Sequence, residues 1–244
     1  MKRASFTVLM CTYFKDDPYL LEKSIESVFK NSTKPNHFIL TIDGPIPKLN
    51  EKIINKISKK YPIELNLLDK NIGLALALNN ALNLVKTEWI ARADSDDINL
   101  YDRFNKQLAL TNKNFDVIGS NILEIDSFGK LPKLTKNIPV TNKEIRKYLK
   151  LRNPINHMTV LYKTKLINSV GGYPNIYLRE DYALCILIMS IATVFPVLYY
   201  FVIMGKTGLS PTLEIVTSFG IWLLCSVAVM SCRSTILDAS NKMS

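Results

Sequence analysis

The chain has 244 residues, with 31 Lys and Arg against 21 Asp and Glu and a formal net charge of +10. That length suits one α/β domain of ordinary size plus an appendage, with a core large enough to need no disulfides. The four cysteines (Cys11, Cys185, Cys225 and Cys232) form no C-x-x-C pair and sit in apolar runs, and the two histidines leave too few ligands for a zinc site.

The positive charge lies mostly in the first 182 residues, spread over Lys-rich helices and loops. No aromatic-and-basic RNA signature, helix-turn-helix or zinc-finger spacing accompanies it, which argues against nucleic acid as partner. An anionic membrane surface or a phosphorylated substrate fits better. Met1-Lys2-Arg3 and the residues to Phe14 have the outline of a signal peptide. However, no small-residue cleavage site follows, and Lys15-Asp16-Asp17 comes at once. The segment reads as the first strand of a cytoplasmic domain.

Phe6 to Tyr13 predicts a buried strand, continuous and apolar through Val8, Leu9, Met10 and Cys11. Asp17-Pro18 opens a helix, cap plus proline, that carries Leu21, Ile25, Val28 and Phe29 on one face. A second strand runs from His37 into Asp43-Gly44-Pro45, a helix spans 52–60 with Ile53, Ile54 and Ile57 inward, and a third strand spans 63–68. Asn71-Ile72-Gly73 then opens an Ala- and Leu-rich helix over 73–85.

The strand over 88–93 stops at Asp94-Ser95-Asp96-Asp97. Three carboxylates within four positions repel one another unless a cation or a polyhydroxylated ligand shares them. Hard divalent ions take oxygen ligands, often one or two carboxylates plus substrate phosphates. The cluster therefore reads as a metal–diphosphate site at the end of a central strand. A plainer reading makes Asp97 a helix N-cap, with the helix starting near Leu100.

Further on the pattern predicts a helix over 101–110, a strand over 117–125, and helices over 142–149 and 164–170 around a strand over 157–162. Gly171-Gly172-Tyr173 makes a turn, and Arg179-Glu180-Asp181 follows. Strand and helix alternate at βαβ spacing, so a mostly parallel, doubly wound α/β sheet is expected, with ligands at the carboxyl ends of its strands. At Ala183 the composition changes. Residues 183–204 carry no charge, nor do 215–232, and the connector between them has Gly, Pro and Ser. Both runs come close to the roughly 20 residues a bilayer core requires. The expectation is a domain over 1–182 and a C-terminal apolar helical hairpin over 183–244, with membrane helices at 183–204 and 215–232 and both chain ends cytoplasmic. The alternatives are core helices of a soluble protein, or appended sequence not native to the domain. Gly205-Lys206-Thr207 imitates the tail of a P-loop, but Tyr200 stands where the leading glycine belongs.

Taken in order, several motifs together resemble the family 2 glycosyltransferases of the GT-A fold. They are Thr12-Tyr13, Asp43-Gly44, Asn71-Ile72-Gly73-Leu74 with Asn79, the run from Ala91 to Asp97, Asn153-Pro154-Ile155-Asn156-His157, Gly171-Gly172-Tyr173 and Glu180-Asp181. Within that family they look like the bacterial enzymes that build lipopolysaccharide O-antigen and capsular polysaccharide. The resemblance runs from residue 5 to about 187. It implies an inverting, metal-dependent enzyme on the cytoplasmic face of the inner membrane. Such an enzyme would move a sugar from a UDP- or dTDP-sugar to a saccharide acceptor carried on a polyprenyl lipid.

The resemblance also implies roles. Thr12 and Tyr13 would line the base pocket, and Asp43 would accept from the N3–H of the pyrimidine. Asn71 and Gly73 would bring backbone close to the nucleotide. Arg92 would face the diphosphate or neutralise the acids. Asp94 and Ser95 would hold the ribose or sugar, and Asp96, with Asp94, would hold Mg²⁺ or Mn²⁺. Asp181 would be the general base, Glu180 would orient it or the acceptor, and His157 would line the acceptor side. Each residue also has a plain structural reading: a turn for Asp43-Gly44, strand-end packing for Thr12 and Tyr13, helix punctuation for Gly73, a helix cap for Glu180-Asp181, a core histidine for His157. Two departures stand out. Cys185 lies near where the family usually has an aromatic residue, and apolar runs replace the soluble elements that close the acceptor site. They leave a second reading open, a catalytically impaired nucleotide-sugar-binding or membrane scaffold protein. A sugar-nucleotide pyrophosphorylase is disfavoured, because residues 12–17 contain no glycine.

Overall fold

Alternate residues of the first strand, β1 (Phe6–Thr12), face two different cores. Phe6, Val8 and Met10 join one apolar cluster, while Leu9 and Cys11 join the other. A strand buried on both faces in this way needs helices above and below it. The structure, a computed structural model, describes residues 4–113, 115–125, 138–176 and 178–189, and the backbone at 194–197 and 202–204.

β1 lies parallel to β2 (His37–Asp43) on one side and β4 (Trp89–Arg92) on the other, and β2 lies parallel to β3 (Glu64–Leu68). The connections carry α1 (Pro18–Phe29), α2 (Lys48–Lys60) and α3 (Leu74–Leu82). The order β3-β2-β1-β4 reverses direction at β1, which opens a crevice at the carboxyl ends of β1 and β4. Asp17 caps α1 as expected, its carboxylate accepting from Tyr19 N and Leu20 N, and Leu21, Ile25, Val28 and Phe29 are buried.

Beyond β4 the sheet turns mixed. β8 (Leu161–Lys163) runs antiparallel to β4 and to β6 (Val117–Ser120), and β9 (Val194–Val197) runs parallel to β6. The expected strand over 117–125 breaks after Ser120. There Ser120 N donates to Thr159 Oγ1 at 2.9 Å and Asn121 Oδ1 accepts from Ile138 N, so side chains replace the ladder. Its remainder, β7 (Leu123–Ile125), joins a second sheet with β5 (Asp97–Ile98) and β10 (Val202–Met204). Likewise the expected strand over 157–162 begins as a 3-10 turn (His157–Thr159), because Thr159 Oγ1 donates back to Asn156 O at 2.8 Å.

The first apolar run is not one helix. α7 (Glu180–Met189) ends before β9 and β10, and its residues from Tyr182 to Cys185 lie in the core cluster under the sheet. α7 also runs across position 182, so residues on either side of the expected boundary share that core. Pro196 is tolerated in β9 because that strand closes the edge of the sheet. Among the described residues no helix is long and apolar enough to cross a membrane. The second run, 215–232, lies outside the described residues.

Motif residues distant in sequence lock the lower core. Asn79 on α3 donates to Tyr173 O at 2.8 Å and accepts from Tyr173 N at 2.7 Å. Gly172 has φ +81°, and a Cβ there would run into Asn79 Oδ1, with Asn79 Cγ only 3.1 Å away. Gly172→Ala is therefore expected to cost about 1–3 kcal/mol of stability from backbone strain and steric conflict, read as a lower urea midpoint at unchanged slope.

Candidate active site

The crevice holds a cleft of about 640 Å³, within the usual size for a small-molecule site. Of the expected site residues, Thr12, Tyr13, Asp43, Asn71, Gly73, Arg92, Asp94, Ser95, Asp96 and Glu180 line it. His157 and Asp181 do not. They line a separate small cavity behind it.

At one end β2 delivers Asp43, which is 3% exposed. Its carboxylate accepts from Ile72 N at 2.8 Å and Gly73 N at 3.0 Å, while Asn71 Nδ2 donates to Asp43 O at 3.2 Å. Gly44 has φ +83°, and a Cβ there would strike Asn71 N. The Asp43-Gly44 and Asn71–Gly73 motifs are thus two halves of one clamp, and Asp43 is more than the tip of a turn. Gly73 has φ +87° with open space where a Cβ would stand, so its glycine serves the backbone turn into α3.

At the centre β4 runs into the acidic loop. Arg92 is 1% exposed, and its Nη2 pairs with Asp94 Oδ1 at 2.6 Å. Its pKa is raised: burial, the largest single effect, works against the charge, and Asp94 together with Tyr173, Cys11 and Tyr162 more than offsets it. Of the two readings of Arg92, the contacts match the neutralising one. Burial raises the pKa of Asp96, with Asp94 adding to the effect.

Asp97 departs from the plain reading. It lies in β5 with both carboxylate oxygens buried and without a hydrogen-bond partner, and α4 (Arg103–Leu108) starts five residues after Ile98. Burial, then Asp94 and Asp96, push Asp97 up to about 9.

Three groups of residues escaped the sequence reading. Asp16 lines the cleft and accepts from Ser95 Oγ at 2.7 Å, its own pKa raised by burial. Arg103, fully buried, donates to Arg92 O at 2.7 Å and to Gln107 Oε1 at 3.1 Å, and also to Asn99 Oδ1. A buried polar stripe on α1 holds the acidic loop from outside: Ser24 Oγ donates to Asp94 O at 2.6 Å, Ser27 Oγ accepts from Asn99 N at 2.8 Å, and Asn31, just past the helix end, donates to Leu100 O at 2.9 Å. The signal for the stripe was present, as polar residues three and four apart beside an apolar face. Asp16 gave none, because its partner lies 79 positions away.

The far wall is the start of α7. Glu180 lines the cleft and its pKa is raised by burial. Asp181 is half-buried, its Oδ2 accepting from Asn153 Nδ2 at 2.8 Å and its Oδ1 from Tyr182 N at 2.7 Å. Leu178, on the same wall, has φ +56°.

The residues suit a divalent cation. Asp94 and Asp96 offer hard oxygen ligands into the cleft, and the raised pKa values of Asp96 and Asp97 mark a site short of positive charge. Among the described residues no group of three or more His, Cys, Asp or Glu could encircle an ion.

Two predictions follow from this geometry. Asp43→Ala leaves two backbone N–H groups unpaired and is expected to cost about 1–3 kcal/mol for each, measured by urea unfolding. Asp97, raised from 3.8 to about 9, stays protonated in the folded protein while it ionises in the unfolded chain. The unfolded state then binds fewer protons, so metal-free stability falls as pH rises between those values. Asp97→Asn is expected to flatten that decline in unfolding experiments across pH 5–9 without added cation.

Residues 7–170 match the profile described as Glycosyl transferase family 2. The UDP-Gal:alpha-D-GlcNAc-diphosphoundecaprenol beta-1,3-galactosyltransferase of Escherichia coli is 41% identical over 181 residues, covering 73% of this chain. This chain spans 66% of that relative's length. S. aureus TarS 1-349 in complex with UDP-GlcNAc superposes with a TM-score of 0.67 at 19% identity, over 85% of this chain and 60% of the other. The mannosyltransferase PcManGT from Pyrobaculum calidifontis, in complex with GDP-Man and Mn2+, gives 0.64 at 13% identity over 98% and 76%. These structures share the fold, and the profile match over most of the sequence decides the family: the chain belongs to glycosyl transferase family 2.

Proposed function

We propose that this protein is an inverting, metal-dependent glycosyltransferase that moves a sugar from a UDP- or dTDP-sugar to a polyprenyl-linked saccharide in bacterial surface polysaccharide synthesis. The observation that carries the reading is the meeting of the Asp43 clamp, the Asp94–Asp96 acids and Glu180 around one cleft, with Asp181 next to Glu180 at the start of α7. The E. coli relative, whose name gives a UDP-sugar donor and a diphosphoundecaprenol acceptor, supports the donor and acceptor classes.

In this mechanism Asp43 spends one lone pair of each oxygen on Ile72 N and Gly73 N, and its remaining acceptor capacity serves the N3–H of the pyrimidine. Thr12 and Tyr13 flank the base at the end of β1. Asp94 and Asp96 would hold a divalent ion, which would supply charge neutralisation for the departing nucleoside diphosphate. Arg92 fixes Asp94 in direction through its ion pair. Inversion requires the acceptor hydroxyl to attack from the face opposite the diphosphate while a carboxylate takes its proton. Asp181 is that base, anchored by Asn153 and by Tyr182 N, and each of its oxygens keeps a free lone pair. Glu180, on the cleft wall, orients the acceptor.

Purified protein with Mn²⁺ and a panel of nucleotide sugars tests the reading. The correct donor is expected to raise the unfolding temperature, since ligand at 100-fold over Kd adds about 2.7 kcal/mol, and Asp96→Ala is expected to abolish the metal-dependent part. Asp181→Asn is expected to lower transfer about 10²- to 10⁴-fold, the usual worth of a general base, with donor stabilisation retained. Transfer at the wild-type rate in both variants would refute the assignment.

A further inference from the structure

Behind Asp181 lies a cavity of about 20 Å³, bounded by Asn153, His157, Tyr162 and Asp181 and otherwise by apolar side chains and Cys185. That is room for one water molecule, which needs about 10–15 Å³ and two or more polar partners. The motifs left unused by the donor cleft converge here. Tyr162 Oη and Tyr173 Oη lie 2.7 Å apart, and Tyr173 Oη lies 3.1 Å from His157 Nε2. Asn79 holds the Tyr173 backbone from both sides, and Asn153 holds Asp181. No hydrogen bond engages His157 Nδ1 among the described residues.

We propose that His157 is a positioning residue for the base: its Nδ1–H and the Asp181 carboxylate are bridged by a water molecule in this cavity. The proposal rests on Asp181 being the base. The proposal assigns one set of directions to these contacts. Tyr162 Oη donates to Tyr173 Oη, Tyr173 Oη donates to His157 Nε2, His157 Nδ1–H donates to the water, and the water donates to Asp181. Each donor points toward the anion, so the chain orients the carboxylate while leaving lone pairs free for the acceptor proton. The imidazole must be neutral to accept from Tyr173, and its surroundings favour that form. Burial, then Arg92, push its pKa down to about 4, against the opposing pull of Asp181 and Asp94. The two tyrosines facing it stay protonated, their pKa values raised by burial. This arrangement also gives Asn79, Gly172 and Tyr173 a shared purpose, since together they set where the Tyr173 hydroxyl stands.

The test has two independent arms. The chain has only two histidines, so ¹⁵N-labelled protein with and without His37→Gln assigns His157 directly. The expected spectrum is a neutral ring protonated on Nδ1 from pH 8 down to pH 5. An Nε2-protonated ring, or titration within that range, overturns the proposal.

In the second arm His157→Gln and Tyr173→Phe are expected to lower kcat about 10- to 100-fold, the scale of a misplaced reacting group, with donor KM unchanged within about twofold. In an Asp181→Asn background, His157→Gln is expected to cost nothing further, because its effect passes through that carboxylate. An equal loss in that background, or a donor KM that rises in step, overturns the proposal. If Asp181→Asn is inactive while both variants keep full kcat, this inference alone fails. If Asp181→Asn itself keeps full activity, the base assignment fails first. Should His157→Gln not fold, Tyr173→Phe and the tautomer decide the matter.

Discussion

Two guanidinium groups sealed from solvent, Arg92 and Arg103, lie beneath the acidic loop, and much of the molecule is arranged to keep them there. A buried cation is costly unless every donor is met and opposite charge is near. Arg92 is met by Asp94 and the carbonyls of Leu9 and Ala93, although its buried Nε has no hydrogen-bond partner among the described residues. Arg103 donates to Arg92 O, Asn99 and Gln107, with Asp97 the nearby opposite charge. Yet the arginines do not balance the acids. Asp96 and Asp97 remain reluctant to ionise, with burial the first cause in each case. The loop is therefore held in a geometry that disfavours full ionisation of its acids, and under the proposed function a divalent cation with its phosphates would supply the missing charge.

The scaffold around the loop shows the cost of that arrangement being met in hydrogen bonds. Gln107 on α4 donates to Thr159 O at 2.7 Å and to Ile118 O, tying the helix after the acids to β6 and to the turn before β8. Ser24, Ser27 and Asn31 do the same from α1. Polar side chains this deeply buried are tolerated only when satisfied, and satisfied networks fix one arrangement in place of many. A rigid acid loop suits differential binding: ligands that must be placed before reaction cost nothing to place again.

What the sequence made legible follows interaction range. The parallel half of the sheet, the Asp17 cap and the apolar face of α1 rest on local periodicity, and each is as expected. The pairing of Asp43-Gly44 with Asn71–Gly73 was suggested only by motif order, and the physical link is a clamp across nearly thirty positions. Asp16, Ser24 and Arg103 were not read as site-forming at all. Their roles come from partners 79, 70 and 11 residues away, and no local pattern distinguishes a solvated aspartate or serine from one that closes a site. Asp97 shows the converse. An Asp near a coming helix satisfies the local rule for a cap, but β5 pairs with β10 and carries it into the interior.

The uncharged run from residue 183 shows why composition alone could not separate bilayer from core. A membrane helix and a doubly buried sheet strand require the same apolar residues; they differ in where the backbone N–H and C=O groups find partners. This fold offers such partners. β6 has an edge open beyond β8, and β5 and β7 stand apart with a gap between them. β9 closes the first by pairing Val117–Ser120 with Val194–Val197, and β10 fills the second, setting Ile203 against Asp97. Closing an edge removes a template for unwanted pairing. It also places the segment after α7 directly behind the acidic loop. The chain that leaves Glu180-Asp181 through α7 thus returns, at β10, to pair with the strand that ends the acidic loop.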